Sequence, residues 1–249
     1  MKGYDELLDF EDFKDLAKDK TLTRHEKIHA PNYVREGYNE VIIKDITSKL
    51  PEINGDNNVI IDIGCGCDDM AMELTKKIIN NKNILYLLDS AEMLALMPDN
   101  DLIYKIPGKF PEESENFIEQ HKNIADAMLM YSMLQYVCVH DSIFNFIDKA
   151  LELLKPGGKM LLGDLPNRSK RRRFFASNLG IKTHQEYTKT NEIPKVDPWE
   201  IEYAKLDDSM IFAILQRYRA GGHETYLLPQ GNDLPFATRR EDILVVKRS

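Results

Sequence analysis

One stretch, NVIIDIGCGCDD at residues 58–69, limits what this chain can fold into more than any other. It begins with Val59–Ile61, a β-branched apolar run that is too short for a helix and suits a buried strand. It continues through Gly64-Cys65-Gly66, where two glycines let the backbone turn sharply and approach a ligand. Residues 70–79 then predict a helix, and the two preceding aspartates suit its positive end. Strand, glycine turn and helix predict the first unit of a doubly wound sheet, with a ligand at the carboxyl end of the strand.

Details of the glycine turn indicate which nucleotide it suits. A dinucleotide site needs Gly-x-Gly-x-x-Gly, and the third glycine position is Asp69 here, where a carboxylate would repel a pyrophosphate. The Gly-Lys-Ser/Thr sequence of a phosphate-binding P-loop is also absent. Asp62 followed by Gly64-Cys65-Gly66 instead resembles motif I of the class I S-adenosylmethionine-dependent methyltransferases. That resemblance implies that these four residues contact S-adenosylmethionine, a ligand with a sulfonium and an ammonium group. An ordinary strand-turn-helix without a ligand is the alternative.

A second acidic residue, Asp89, ends the next predicted strand, 23 residues after Gly66. Nucleotide-binding folds place a carboxylate at about this distance, where it accepts hydrogen bonds from ribose hydroxyls. The sequence Asp89-x-x-x-Met93-Leu resembles motif II of the same methyltransferases. The resemblance implies that Asp89 binds the ribose and that Ser90 and Met93 lie beside the adenine. A helix cap is the alternative role for Asp89.

Two later loops supply further candidates for contacts with the methyl donor. Residues 102–106 predict a third strand, and the resemblance places the loop that follows at the rim of the adenine. Residues 125–132 predict a fourth strand, whose end would face the methyl-donor pocket. The candidate contacts are Gly108, Lys109, Phe110, Tyr131, Ser132 and Gln135. A plain Pro-Gly turn is the alternative for the first loop, and we assign Met128, Met130 and Leu134 to the core.

The C-terminal half predicts how the sheet is completed. The sequence Leu-Lys-Pro-Gly-Gly at 154–158 resembles the turn into the fifth strand of the same family. Residues 224–229 and 242–247 predict two strands that match the antiparallel final hairpin of the family. The expected fold is therefore α/β: a Rossmann-like, doubly wound, seven-stranded sheet, mostly parallel with an antiparallel C-terminal hairpin, with helices on both faces.

We expect residues 1–249 to form a single methyltransferase domain, and the resemblance covers about residues 40–165. Residues 1–35 are expected to form an N-terminal helical cover. A longer helix is expected to start at Pro31, within this range, and to include Val34. The segment 165–207 is polar and interrupted by prolines, including Pro194 and Pro198 beside Trp199. It is expected to be a substrate-binding or lid insertion.

A cluster of cations follows the fifth predicted strand. Five of the six residues from Arg168 to Arg173 are basic, although the whole chain carries a formal charge of −8. Arginines here would bind a phosphate or carboxylate of the acceptor through paired hydrogen bonds; a solvated helix face is the alternative. The candidate substrate-binding residues are Asn167, Arg168, Arg171 and Arg172. The segment resembles runs in methyltransferases encoded with bacterial surface-polysaccharide genes, which implies a sugar or sugar-phosphate acceptor.

These observations predict an S-adenosylmethionine-dependent methyltransferase that acts on a small-molecule acceptor, with an anionic group as one option. The leading interpretation is O-methylation of a sugar or of a nucleotide- or phosphate-linked sugar precursor. N-methylation or methylation of a phosphorylated acceptor stays open, as does a protein that binds the donor without transferring its methyl group. A hydroxyl acceptor would benefit from a general base. His25 and His223 are the candidates, and a structural role is the alternative for each.

Composition excludes several other classes of protein. The acidic charge argues against a nucleic-acid binder, and no apolar run reaches the length of a membrane span. Cys65, Cys67 and Cys138 are too few for a disulfide scaffold, and the first two lack the spacing of zinc or redox motifs. His25 and His29 lie four residues apart but lack a third ligand nearby, so we expect no metal. A cytoplasmic protein is expected, and its oligomeric state stays open.

Overall fold

The structure is a computed structural model that describes residues 8–30, 36–197 and 205–248. The predicted helix start at Pro31 and its residue Val34 lie outside the described residues, and so do Pro198 and Trp199 of the predicted insertion. Residues 1–7 of the predicted cover lie outside them too.

Seven strands form one sheet in the order β3-β2-β1-β4-β5-β7-β6. The strands are β1 (Val59–Ile63), β2 (Ile84–Asp89), β3 (Ile103–Pro107), β4 (Ala125–Tyr131), β5 (Leu154–Pro166), β6 (Glu224–Leu228) and β7 (Arg240–Val246). The first five pair in parallel, whereas β7 is antiparallel to both β5 and β6. The predicted seven-stranded sheet with an antiparallel C-terminal hairpin is confirmed.

Helices connect the strands and cover both faces of the sheet. They are α1 (Phe10–Lys18), α2 (Arg24–Lys27), α3 (Asn39–Lys49), α4 (Asp69–Asn80), α5 (Ala91–Leu94), α6 (Glu115–Gln120), α7 (Leu134–His140), α8 (Ile143–Leu153), α9 (Arg168–Phe175), α10 (Asn178–Thr188) and α11 (Asp208–Ala220). A short 3₁₀ helix, Pro51–Asn54, follows α3. None of the helices in the described part of the chain has both the length and the hydrophobicity that a membrane crossing requires.

Helix α10 lies within the predicted insertion, residues 165–207, where the prolines suggested irregular structure. Its first turn is capped because the Ser177 side chain accepts a hydrogen bond from the Gly180 amide. Its end is set by Lys189, which adopts the left-handed conformation that commonly terminates helices. The prolines that suggested an irregular segment come only after that end.

Two hydrophobic layers hold the sheet, one on each face. Side chains alternate along each strand, so Ile61 and Met128 pack on one face while Ile60 and Leu129 pack on the other. Met128, Met130 and Leu134 are all fully buried in the first layer, which confirms their assignment to the core. This packing leaves the loops at the carboxyl ends of the strands as the places where side chains can face a ligand.

The sheet order creates a crevice beside β1. Strand β1 pairs with β2 on one side and with β4 on the other. The connection after β1 therefore runs toward one edge of the sheet, and the connection after β4 runs toward the other. In open α/β sheets the loops diverge at such a point, and ligands bind outside the carboxyl ends of the strands there. The glycine turn that follows β1 lies at this position.

Candidate active site

A cavity of about 190 Å³ opens at the carboxyl ends of β1, β2 and β4. Its floor consists of the loop after β1 and the last residues of β2. The loop after β3, the end of β4 and helix α7 form the walls of the cavity. Helix α1, which belongs to the N-terminal segment, forms a further side. The predicted contacts that line the cavity are Gly64, Cys65, Gly66, Asp89, Met93, Gly108, Lys109, Phe110, Tyr131 and Ser132.

The glycine turn has a backbone that other residues would adopt only with strain. Gly64 and Gly66 have φ values of +70° and +63°. A Cβ atom at position 66 would lie 2.8 Å from the side chain of Ile28, which reaches over the turn from the end of α2. Gly66 therefore lets the N-terminal segment pack directly on the loop that lines the cavity.

The Asp89 carboxylate links the two predicted motifs through hydrogen bonds. Its Oδ2 accepts a hydrogen bond of 2.9 Å from the Gly66 amide, and its Oδ1 accepts one of 2.7 Å from the Ser90 amide. Burial raises the pKa of Asp89 to about 6, against the opposing effect of these two hydrogen bonds. Because each carboxylate oxygen can accept about two hydrogen bonds, both oxygens keep capacity for a ligand.

Asp62 is a second buried carboxyl group, at the end of β1. Burial, together with the negative charges of Asp89 and Asp68, raises its pKa to about 8. Within the described residues, the Asp62 carboxylate has neither a hydrogen bond nor a cationic partner. A buried carboxylate is normally stabilised by a cation or by hydrogen-bond donors. This end of the cavity therefore favours a positively charged group.

Helix α4 begins beside these carboxylates, and its own start is acidic. The Asp68 side chain caps the helix by accepting a hydrogen bond of 2.9 Å from the Ala71 amide, and Asp69 is in the first turn. Both predicted roles are confirmed. A pyrophosphate would bind at this helix start in a dinucleotide site, so the acidic residues oppose that class of ligand.

The loop after β3 is fixed against the rest of the cavity. The Gly108 amide donates to the Asp89 carbonyl at 3.0 Å, and Lys109 Nζ lies 2.6 Å from Asp141 Oδ1 at the cavity rim. Phe110 is buried and packs edge-to-face on Phe146, with ring centroids 5.0 Å apart. These contacts make an apolar wall that is suited to an aromatic ring of a ligand.

Three predicted contacts lie behind the cavity surface. Asp62 is below the floor, and Ser90 is buried where its hydroxyl caps α5 through the Met93 amide. Gln135 donates from its side chain to the Ser132 carbonyl at 2.6 Å. Ser90 and Gln135 therefore support the loops around the cavity, and all three residues are absent from its lining.

The N-terminal segment and α7 contribute cavity residues beyond the predicted donor contacts. They are Leu8, Asp9, Phe10, Phe13, Tyr136, Val137, His140 and Asp141. The rings of Phe13 and Tyr136 pack edge-to-face, with centroids 4.9 Å apart, so α1 closes against α7. The amphipathic pattern of residues 9–16 was the available signal, because Phe10 and Phe13 share one face of that helix.

The two histidines proposed as bases are both outside the cavity lining. His25 is buried in the cover, where Nδ1 lies 3.9 Å from Asp68 Oδ2 and Nε2 lies 3.7 Å from Asp69 Oδ2. His223 precedes β6, which begins opposite the last residues of β7 and so lies at the amino-terminal edge of the parallel strands. The cavity is at the opposite edge, and the structure therefore separates His223 from it.

The predicted substrate-binding residues lie at the start of α9, also outside the cavity lining. The Asn167 side chain is buried and donates to Asp208 and Glu241, so it fixes the helix start. Arg171 is exposed, and its guanidinium lies over the Phe175 ring at 5.2 Å. Because α9 directly follows β5, its start lies at the same edge of the sheet as the cavity.

No protein-family model matches this sequence, and no curated protein matches it. Solved structures do match the fold. A provisionally assigned S-adenosyl-L-methionine-dependent methyltransferase from Methanococcus maripaludis aligns with a TM-score of 0.52 and 16% identity, over 100% of this chain and 96% of that chain. An S-adenosylmethionine-dependent methyltransferase from Listeria monocytogenes, also provisionally assigned, aligns with a TM-score of 0.54 and 14% identity, over 87% and 100%.

The plantazolicin methyltransferase BpumL, solved with a triazolic desmethylPZN analog and SAH, aligns with a TM-score of 0.58 and 13% identity. The alignment covers 96% of this chain and 100% of that chain. A seven-stranded, mostly parallel sheet with an antiparallel C-terminal hairpin was expected from the sequence. The chain therefore has the Rossmann-like fold of S-adenosylmethionine-dependent methyltransferases.

Proposed function

We propose that this chain is an S-adenosylmethionine-dependent methyltransferase. The observation that carries the proposal is the pair of buried carboxyl groups, Asp62 and Asp89, on either side of the glycine turn. Both have a raised pKa, and they lie where this fold binds ligands. A ligand with cationic groups and ribose hydroxyls would satisfy both carboxylates.

Each part of the donor has matching residues in this site. The Asp89 oxygens would accept hydrogen bonds from the ribose hydroxyls, and Met93 and Phe110 would flank the adenine. Asp62 would attract the ammonium group of the donor through the glycine turn. NAD fits poorly, because its pyrophosphate would meet the carboxylates of Asp68 and Asp69.

The donor supplies a methyl group on a sulfonium, which an acceptor atom displaces in line. The chain's main contribution would be to hold the two reactants in contact and to exclude water. Helix α1 serves this role, because Phe10 and Phe13 line the cavity and Phe13 packs on Tyr136 of α7.

We propose that the acceptor is a small molecule with a hydroxyl group, such as a sugar or a nucleotide- or phosphate-linked sugar precursor. The basic start of α9 supports an anionic group on it. Among the described residues Arg171 has no ion pair, whereas Arg173 pairs with Asp208 at 2.5 Å. Arg168 and Arg172 are neighbours of Arg171 on the same helix. A phosphorylated acceptor or one methylated on nitrogen would use the same anion site.

The three cysteines are free thiols, and burial raises the pKa of Cys67 to about 12. Thiols in this state suit a reducing compartment. We therefore propose a cytoplasmic enzyme. The resemblance of the basic run after β5 supports a place in a pathway that modifies surface polysaccharides.

Calorimetric titration with S-adenosylmethionine, S-adenosylhomocysteine and NAD tests the donor assignment. We expect micromolar binding of the first two and none of NAD. Asp89→Ala should weaken donor binding by about 10- to 100-fold, because two charge-assisted hydrogen bonds are lost. Asp101→Asn, which removes an exposed carboxylate elsewhere, is the matched control. Equal affinity of Asp89→Ala and the wild type would remove Asp89 from the ribose role.

A transfer assay separates an enzyme from a protein that only binds the donor. Radiolabelled S-adenosylmethionine would be incubated with the protein and a panel of nucleotide-linked sugars and free sugar phosphates. Label in an acceptor supports the enzyme, and Arg171→Ala should then raise the KM for phosphorylated acceptors more than for neutral ones. Tight donor binding without transfer to any acceptor would favour the binding protein.

A further inference from the structure

The ends of β4 and β5 carry two non-glycine residues in the left-handed backbone conformation. Ser132 has φ +59° and Asp164 has φ +58°. They lie side by side, because the Ser132 amide donates to the Gly163 carbonyl at 3.0 Å. Asp164 also lies within an irregularity of the β5–β7 pairing, between Leu162 and Leu165. Strained backbone and strand irregularities that redirect a side chain cluster at functional sites.

The side chains of these two residues are hydrogen-bonded to each other. The Ser132 hydroxyl donates to Asp164 Oδ2. The same Oδ2 lies 2.5 Å from Arg240 Nη1, and Gln230 Nε2 donates to Asp164 Oδ1 at 3.3 Å. The Asp164 carboxylate is therefore buried, paired with a cation and held in one orientation.

A second layer fixes this carboxylate from behind. The Asp164 amide donates to Asp242 Oδ1 at 2.7 Å, and Gln230 Nε2 lies 3.1 Å from the same oxygen. Asp242 is fully buried and forms an ion pair with Lys49 at 2.5 Å. A network of this kind exceeds what is needed to end a strand, and Ser132 connects it to the cavity.

Ser132 is the member of this network that lines the cavity; Asp164 is absent from the lining. The hydroxyl gives its own proton to Asp164 and accepts a long hydrogen bond of 3.5 Å from Arg240 Nη1. Its second lone pair is available to a donor in the cavity. The arrangement therefore presents a hydrogen-bond acceptor, backed by a buried carboxylate, to whatever group is bound there.

We propose that Ser132 and Asp164 accept the proton that the acceptor loses during methyl transfer. This proposal rests on the function proposed above and supplies the base that the two histidines do not. The acceptor hydroxyl donates to Ser132 Oγ. As its oxygen bonds to the methyl carbon, the carbon–sulfur bond breaks and its electron pair stays on sulfur. The acceptor proton passes to Ser132 Oγ, and the Ser132 proton passes to Asp164 Oδ2.

A carboxylate is a weak base, and a weak base is sufficient for this step. A methylated hydroxyl oxygen that still carries its proton is strongly acidic, so the proton leaves readily once the new bond forms. The Ser132–Asp164 pair therefore favours acceptors that lose a proton on methylation, such as a hydroxyl or an N–H group, over acceptors without such a proton.

Sinefungin tests the proposal without a known acceptor. In this analogue of S-adenosylmethionine a carbon that carries an ammonium group replaces the methylsulfonium, so the ammonium lies where the transferred methyl would face Ser132. S-adenosylhomocysteine has no group there. We expect the wild type to bind sinefungin about tenfold more tightly than S-adenosylhomocysteine, as for a charge-assisted hydrogen bond.

Two variants that tolerate the local backbone remove the proposed acceptor groups. Ser132→Gly keeps the positive φ without strain, and Asp164→Asn puts in a residue that adopts this conformation relatively often. In both variants the ratio of the dissociation constants of S-adenosylhomocysteine and sinefungin should fall to near unity. Ser48→Ala removes an exposed hydroxyl on α3 and is the matched control.

Other results would overturn the proposal. An unchanged preference for sinefungin in both variants would mean that the Ser132–Asp164 pair does not face the transferred methyl. A lost preference in His140→Gln alone would transfer the role to His140 at the cavity rim. Failure of the wild type to bind either ligand would instead refute the proposed donor site itself.

Discussion

Replacing Asp62 by asparagine should stabilise the ligand-free protein and abolish its binding of the donor. Asp62 is buried, and burial together with Asp89 and Asp68 disfavours its charged form. If the donor's ammonium group is the partner that this carboxylate lacks, the wild type loses stability in the absence of ligand and regains it on binding. Asparagine removes both effects, because it carries no charge.

The magnitude follows from proton linkage. The pKa of Asp62 is raised from 3.8 to about 8, so the folded protein holds this proton more tightly than the unfolded chain does. The wild type therefore loses stability as the pH rises from the unfolded to the folded pKa, and the loss is constant above that. It is at most about 2 kcal/mol at pH 5 and about 6 kcal/mol above pH 8. An asparagine amide without a partner costs about 1–3 kcal/mol at either pH.

The free energy of unfolding of Asp62→Asn should thus lie close to that of the wild type at pH 5 and exceed it by at least about 3 kcal/mol at pH 8.5. For a chain of this length the difference corresponds to a Tm about 6 °C higher. Thermal unfolding at both pH values, with and without S-adenosylmethionine, measures it, and Asp101→Asn is the control. A variant destabilised equally at both pH values would refute the reasoning, as would an undiminished rise of its Tm with the ligand.

Three further predictions concern the glycine turn, the cover and the distal histidine. Gly66→Ala should lower both the Tm and donor affinity, since it adds backbone strain of about 1–2 kcal/mol and a close contact with Ile28. Gly222 has φ +88° but no atom near the position of an added Cβ, so Gly222→Ala separates the effect of strain from that of the contact. Phe13→Ala should increase the dissociation rate of S-adenosylhomocysteine in stopped-flow measurements, because the cover loses its ring contact with Tyr136. An unchanged rate would show that α1 does not retain the ligand. His223→Gln should leave both donor affinity and transfer unchanged; a large loss of either would contradict its position at the far edge of the sheet.

Local sequence patterns were sufficient for the parts of the site that directly follow strands. Asp62, Gly64 and Asp89 lie at or just after the ends of predicted strands, and the carboxyl ends of parallel strands meet at one edge of a sheet. Predicting where β1 and β2 end was therefore enough to predict that these residues would lie together. The final hairpin could be predicted for a similar reason, because two apolar runs were separated by a polar connection.

Contacts between distant segments could not be predicted in this way. Asp164 and Arg240 are 76 residues apart, and no local pattern connects them. The basic run after β5 did not reveal which cations were already paired, and Arg173 is held by Asp208, 35 residues away. His223 looked like a candidate because histidine is a common base. Its position depends on the direction of β6, which the register with β7 decides.

The contact between Phe13 and Tyr136 also constrains the order in which the protein folds. Residue 13 is synthesised well before residue 136, so the surface on which it packs is complete only after α7 has been synthesised. Contacts so far apart in sequence form late, because closing a long loop costs entropy before the contact compensates for it. The segment that contains α1 is therefore expected to dock after the β1–β4 part of the sheet, so that the cavity exists before its cover does.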